Sequence, residues 1–239
     1  MDHSKGEAPP SERQFPVFDL RFKRGATHLL AGASGSGKTF KVADILRSKN
    51  EIIDGGERVK NVVFFYASWQ PIYTALQNEG VVTKWIKKMP TNEEYLDQVE
   101  PYRDNGGSIV VIDDFMSEIS RDLVTIVTVS ARHNSASTFI LFQNLFPANP
   151  LARQISLNVK YMYVFKNPRE NAQFAYLVRQ IRPGNYRWIE QAYHEAVKHP
   201  YSCLLMDLTQ ECPDEIRFRS SFLPNELPMK VWVPKNTIV

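Results

Sequence analysis

Several short runs of consecutive apolar residues punctuate the chain. They fall at Thr27–Ala31, Lys60–Tyr66 with Val62-Val63-Phe64-Phe65 at its centre, Ser108–Ile112, Ser137–Phe142, Tyr161–Phe165 and Tyr201–Leu208. A strand with one wet face alternates polar and apolar residues, whereas continuous runs mark strands covered on both faces. Between them the pattern turns helical: Phe40–Leu46, a helix near Thr74–Asn78, a helix opened by the capping-box sequence Thr91-Asn92-Glu93-Glu94, Ser117–Ala131 with Leu123, Ile126 and Val127 on one face, Asn171–Ile181 and Trp188–Lys198. Buried strands alternating with amphipathic helices predict an α/β fold, a mostly parallel sheet flanked by helices. Asn105-Gly106-Gly107 and Arg182-Pro183-Gly184 read as breaks. Weaker segments are a short strand through Phe15, Val17, Leu20 and Phe22, another within Val81–Met89, a loop with a short helix over Pro147–Leu157, and Pro-punctuated extended segments from Pro213 onward. Residues 1–14, polar with a Pro pair, are expected to be a disordered leader, and residues 15–239 one domain without internal repeats or an interdomain linker.

The first of these strands runs into Gly32-Ala33-Ser34-Gly35-Ser36-Gly37-Lys38-Thr39, which fits G-x-x-x-x-G-K-[ST]. This is the Walker A phosphate loop, or P-loop. Its glycines turn backbone N–H groups inward around phosphates. Lys38 can reach the β- and γ-phosphates, and the Thr39 hydroxyl can ligate Mg2+. The helix opening at Lys38 adds the positive end of its dipole. Strand, loop and helix in that order are the context the motif requires, so the segment predicts a nucleoside triphosphate site. The run Ser108–Ile112 ends in Asp113-Asp114, the Walker B pattern of apolar residues followed by an acid. A carboxylate at the C-terminal end of a parallel strand lies where such sheets bind ligands. Asp113 is therefore assigned to Mg2+, through water, and Asp114 to polarising the attacking water. Gln143 ends the next strand, where an amide can sense the γ-phosphate or orient water; the alternative is a solvated strand cap.

Composition alters this picture little. The length of 239 residues suits one large core, and the net charge of +3 permits nucleic acid binding without arguing for it. No segment approaches the ~20 apolar residues of a membrane span. The polar N-terminus lacks a signal-peptide core, so secretion is not expected. Cys203 and Cys212 lack metal-like partners in the sequence and read as free thiols. Lys84-Trp85-Ile86-Lys87-Lys88 mixes positive charge with an aromatic. It reads either as a surface tracking a nucleic-acid backbone or as an amphipathic edge strand with a solvated charged face.

Four blocks occur in order: Gly32–Thr39, Val110–Phe115, Arg132-His133-Asn134 leading to Phe139–Gln143, and Arg153 leading to Asn158-Val159-Lys160-Tyr161. Together they resemble the FtsK–HerA superfamily, specifically viral genome-packaging ATPases of the poxvirus type and their relatives in Maverick/Polinton elements and adintoviruses. Segments Tyr66–Tyr73, Tyr193–Pro200 and Tyr201–Phe222 also resemble the Maverick-type branch. The resemblance implies a RecA-like core that uses ATP and Mg2+ to translocate double-stranded DNA, independently of its sequence, into a capsid. It implies a homo-oligomeric ring, a hexamer or pentamer, whose isolated subunit can be a monomer. It further implies a capsid or portal partner, and a location at a virus assembly site in the host nucleus or cytoplasm, or in the virion. By the match, Gln143 is the sensor, and the arginine acting in trans falls on Arg132 or Arg153. Many relatives carry Glu where this chain has Asp114, one methylene shorter. That keeps open a nucleotide-gated assembly protein with slow turnover. A P-loop kinase would need an Arg-rich lid and an acceptor pocket, and an ABC-type ATPase a Leu-Ser-Gly-Gly-Gln signature; neither is evident in the sequence.

Overall fold

The computed structural model describes residues 18–115, 119–145, 149–169, 171–226 and 228–234. The expected leader therefore lies outside the described residues, as do Phe15, Val17, Ser117 and Pro147. Among the described residues nine strands form one sheet in the order β3-β2-β4-β5-β1-β6-β7-β8-β9. In chain order they are β1 (Thr27–Ala31), β2 (Asn61–Tyr66), β3 (Lys84–Ile86), β4 (Ser108–Asp113), β5 (Ala136–Phe142), β6 (Tyr161–Phe165), β7 (Cys203–Asp207), β8 (Phe218–Ser220) and β9 (Lys230–Trp232). Strands β1 to β6 are mutually parallel, and β7, β8 and β9 continue the sheet antiparallel.

The helices are α1 (Lys38–Arg47), α2 (Lys49–Ile52), α3 (Pro71–Asn78), α4 (Asn92–Val99), α5 (Arg121–Thr125), α6 (Ala131–His133), α7 (Pro150–Asn158), α8 (Asn171–Ile181) and α9 (Arg187–Ala196). The continuous apolar strands are explained by helices on both faces. Alternate residues of β1 serve opposite cores: Leu29 joins Tyr95, Leu123, Ile155, Val178 and Ile189, whereas Leu30 joins Val42, Ile45, Tyr73 and Leu76. One layer thus comprises α4, α5, α7, α8 and α9, and the other α1 and α3.

Local chemistry sets several boundaries. The Thr91 side chain accepts from the backbone of Glu94, and the Glu94 side chain accepts from that of Thr91, completing the expected capping box. Helix α3 begins at Pro71 rather than near Thr74, because proline is favoured at the first helical position. Between α5 and α6 the chain makes a π turn over Ile126–Ser130, where the sequence predicts regular helix; such turns cluster at functional sites. The short helix expected within Pro147–Leu157 is the nine-residue α7. Phe22 makes only an isolated parallel bridge with Ile53. The expected strand within Val81–Met89 is only the three-residue edge strand β3. The segment after Pro213 supplies β8 and β9, and Glu226 in its last turn pairs with the buried Lys41 of α1.

Candidate functional site

Parallel strands present all their C-terminal ends at one edge, the edge at which open α/β sheets take ligands. The loop 32–37 leaves β1 there and turns into α1. Gly37 lies at φ +97, and a Cβ on it would come within 2.9 Å of the Tyr201 Cβ. A Cβ on Gly32 would stand 2.6 Å from that of Phe165. Both positions thus require glycine. The Lys38 ammonium donates to the carbonyls of Gly32 at 2.7 Å and Ala33 at 2.9 Å. Burial lowers its pKa, and the carboxylates of Asp113 and Asp114 oppose that shift.

Register brings the two Walker segments together although their strands are not neighbours. Strand β5 lies between β1 and β4, pairing Phe142 with Ala31 and Ile140 with Ile112. Across that gap Thr39 Oγ1 donates to Asp113 Oδ2 at 3.0 Å, and the Tyr73 hydroxyl donates to the same oxygen at 2.7 Å. Asp113 is 4% exposed. Burial pushes its carboxyl pKa up, and the hydrogen bonds from Tyr73 and Thr39 work against that. Burial first, then the charge of Asp113, raises the Tyr73 pKa far above its ordinary value, so the phenol remains a donor. The next residue, Asp114, turns into the left-handed region at φ +69. Its Oδ1 accepts from Gln143 Nε2 at 2.9 Å, so the tip of β5 holds the second acid of β4. A left-handed non-glycine residue stores strain of about 1 kcal/mol or more, which surrounding contacts must hold in place.

These groups line a cleft of about 680 Å3 that also reaches Ser34, Phe40, Asp44, Gln70, Leu141 and Tyr201. The Ser36 hydroxyl is enclosed in the loop without a protein hydrogen-bond partner. Thr39 and Asp113 together offer hard oxygens of the kind Mg2+ takes. An inward-facing loop, an adjacent cation, the N-terminus of the ten-residue α1 and a carboxylate–hydroxyl pair fit a Mg2+–triphosphate group.

The structure brings Gly32–Thr39, Asp113, Asp114 and Gln143 to one place and leaves both candidate arginines outside it. Arg132, exposed on α6, precedes β5 and so sits at the opposite edge of the sheet, about 20 Å of strand away. Arg153 is exposed in the first turn of α7, which descends from the loop after β5 toward the start of β6. In the Lys84–Lys88 segment Trp85 packs on Phe64 at 4.9 Å, Lys84 bonds Gln98, and Lys88 pairs with Glu94. This is the amphipathic edge-strand arrangement. Cys203 and Cys212 are both free and buried. Among the described residues no group of three or more His, Cys, Asp or Glu could hold a metal, and no helix is long and apolar enough to cross a membrane.

Sequence reasoning missed Tyr73, Gln70, Phe40 and Tyr201. The legible signal was position: Gln70-Pro71 follows β2 at its C-terminal end, and Phe40 directly follows the motif.

No family model and no curated protein sequence matches the chain. Among solved structures, it resembles B204, the DNA-packaging ATPase of Sulfolobus turreted icosahedral virus, with 12% identity, 88% of this chain and 98% of that one covered, and a TM-score of 0.51. Looser overlaps occur with EssC (ATPases 2 and 3) from Geobacillus thermodenitrificans, with 10% identity, 67% and 42% coverage and TM-score 0.47. A KaiC-like protein from Pyrococcus horikoshii overlaps with 18% identity, 60% and 72% coverage and TM-score 0.40. The first likeness is one of architecture: the chain has the α/β fold of P-loop NTPases, of the RecA-like kind.

Proposed function

We propose that the chain is a Mg2+-dependent ATPase of the FtsK–HerA superfamily. In this reading it moves double-stranded DNA, independently of sequence, into the capsid of a virus or virus-like transposon. The observation that carries the catalytic part is the meeting of Thr39, Asp113, Asp114 and Gln143, from three separate segments, around one phosphate loop. The packaging part rests on the ordered sequence blocks, and the fold shared with a DNA-packaging ATPase is compatible with it.

Each residue then has a defined task. Backbone N–H groups of residues 32–37 cradle the phosphates, and Lys38 exchanges the carbonyls of Gly32 and Ala33 for β- and γ-oxygens. Thr39 and Asp113 hold Mg2+, which when bound neutralises charge on those oxygens. Asp114 polarises the attacking water, and Gln143 fixes its orientation and reads the γ-phosphate position. An arginine from the next subunit of a ring stabilises the charge that develops. Arg132 and Arg153, both exposed, are the two candidates for that role. The site of action is a virus assembly site in the host nucleus or cytoplasm, with a capsid or portal component as partner.

Steady-state hydrolysis by wild type and Lys38→Ala, with and without long double-stranded DNA at low salt, tests this. DNA-stimulated, salt-sensitive turnover that vanishes in the variant supports the translocase. Tight ATP binding with negligible turnover in both conditions would replace it with a nucleotide-gated assembly protein, a reading favoured by the short Asp114 being already engaged by Gln143.

A further inference from the structure

Two aromatic side chains at the mouth of the phosphate cleft are assigned no task by the chemistry above. Phe40 is 61% exposed and Tyr201 67% exposed, and both line the cleft. A large ring left in water gains nothing for folding, and apolar groups gathered at the mouth of a polar pocket mark a ligand surface. Tyr201 is moreover held there at some expense. It is a non-glycine residue at φ +64, and its Cβ stands so close to Gly37 that this position admits no side chain. Its location follows from topology. Because β7 runs antiparallel to β6, pairing Cys203 with Phe165, the residues just before β7 arrive at the edge where β1 to β6 end. Phe40 arrives from the other side of the loop, in the first turn of α1 beside Thr39.

We infer that Tyr201 and Phe40 form a stacking platform for the nucleobase, so that the cleft takes a nucleoside triphosphate by its base as well as by its phosphates. The inference rests on the nucleotide reading given above and deepens it. A triphosphate needs only the polar floor built by the loop, Thr39 and Asp113. The remaining apolar lining comes from Phe40, Tyr201 and Leu141, the last of them buried in β5. A flat aromatic ligand has a surface to meet only at the two exposed rings. Ring-on-base stacking supplies affinity with little demand on base identity, since every base has a π-face.

The test separates base from phosphates. Binding of Mg-ATP and of Mg-tripolyphosphate, which lacks base and sugar, is measured by calorimetry for the full chain as wild type, Tyr201→Ala, Phe40→Ala and the conservative Tyr201→Phe. The expected result is that wild type binds ATP at least tenfold more tightly than tripolyphosphate. Each alanine variant should lose about tenfold for ATP and less than twofold for tripolyphosphate, and Tyr201→Phe should retain ATP affinity. Equal losses for both ligands would overturn the inference, because Tyr201 would then be shaping the phosphate loop; so would unchanged ATP affinity in both alanine variants. A wild type that binds tripolyphosphate as tightly as ATP overturns the platform and leaves the phosphate site standing. A wild type that binds neither overturns the nucleotide reading and this inference with it. Both side chains are mostly exposed, so the variants should fold, and unchanged melting curves would verify this.

Discussion

Replacing Tyr73 with Phe removes one oxygen atom from the molecule and little else. The ring is wholly buried, 4.8 Å from Phe64 and 5.3 Å from Trp85 between centroids, and phenylalanine fills the same space. What disappears is the 2.7 Å hydrogen bond to Asp113 Oδ2, leaving Thr39 as donor to that oxygen at 3.0 Å. A hydrogen bond to a charged group contributes about 1.5–3 kcal/mol, and with one donor remaining the loss belongs at the lower end, about 1.5–2 kcal/mol. At about 2–4 °C per kcal/mol for a chain of this size, the metal-free protein should melt ~3–8 °C lower. The carboxyl of Asp113, already raised by burial, should rise further, because one of the groups favouring its charged form is gone. Partners that orient the groups around a metal site typically govern affinity by about 10–100-fold, so half-saturation by Mg2+ should move up about tenfold or more. Melting by calorimetry in EDTA and Mg2+ titration of ATP binding read the two effects separately. If the variant melts within 1 °C of wild type and titrates with Mg2+ unchanged, Tyr73 does not hold Asp113 in solution.

The same reasoning extends to two groups away from the cleft. His28 lies in β1, stacked on Phe139 at 4.1 Å and bonded to the Tyr163 hydroxyl at 2.9 Å, and burial lowers its pKa from 6.5 to about 3. Between those values the unfolded chain binds the additional proton, so the stability contributed by neutral His28 is complete above about pH 6.5 and is lost as pH falls toward 3. In urea melts, lowering the pH from 7.5 to 5 should cost wild type about 2 kcal/mol more than His28→Phe, and identical losses would refute the assignment. Arg219 is 2% exposed and bonds Asp207 at 2.7 Å. Asp207→Ala should destabilise by about 3–5 kcal/mol by leaving that guanidinium buried without its counter-charge. The double variant Asp207→Ala, Arg219→Met should recover part of the loss, and a double variant no better than the single one would show that the pair is not the cause.

The catalytic floor was legible because its chemistry is written in contiguous residues: the loop at 32–39 needs its glycines, lysine and threonine in order, and β4 needs its acids at the tip. The strands were legible for a related reason, since burial on both faces forces unbroken apolar runs. Tyr73 was not legible, because nothing in Pro71-Ile72-Tyr73 distinguishes a tyrosine packed in a core from one whose hydroxyl meets an acid forty residues away. Tyr201 was hidden by strand direction: only the reversal at β7 turns the end of a surface loop into the wall of the cleft. The π turn after α5 escaped because β-branched residues weaken helix everywhere without saying where the register slips. Strand β3 shrank to three residues because only Lys84–Ile86 pairs with β2.

The place of β1 in the sheet bears on how the protein is made. Both strands that hydrogen-bond to it, β5 and β6, come more than a hundred residues later. At about 5–20 residues per second, the ribosome takes about 7–27 s to reach Phe165 after Ala31. Throughout that interval a strand that ends wholly buried has been synthesised without either neighbour. Long-range pairing of this kind is slow to form and leaves sticky edges exposed. A nascent chain stalled before β6 would carry every residue of the phosphate loop but not Phe165, against which Gly32 packs, so the dependence on chaperones during synthesis should be greatest before β6 emerges.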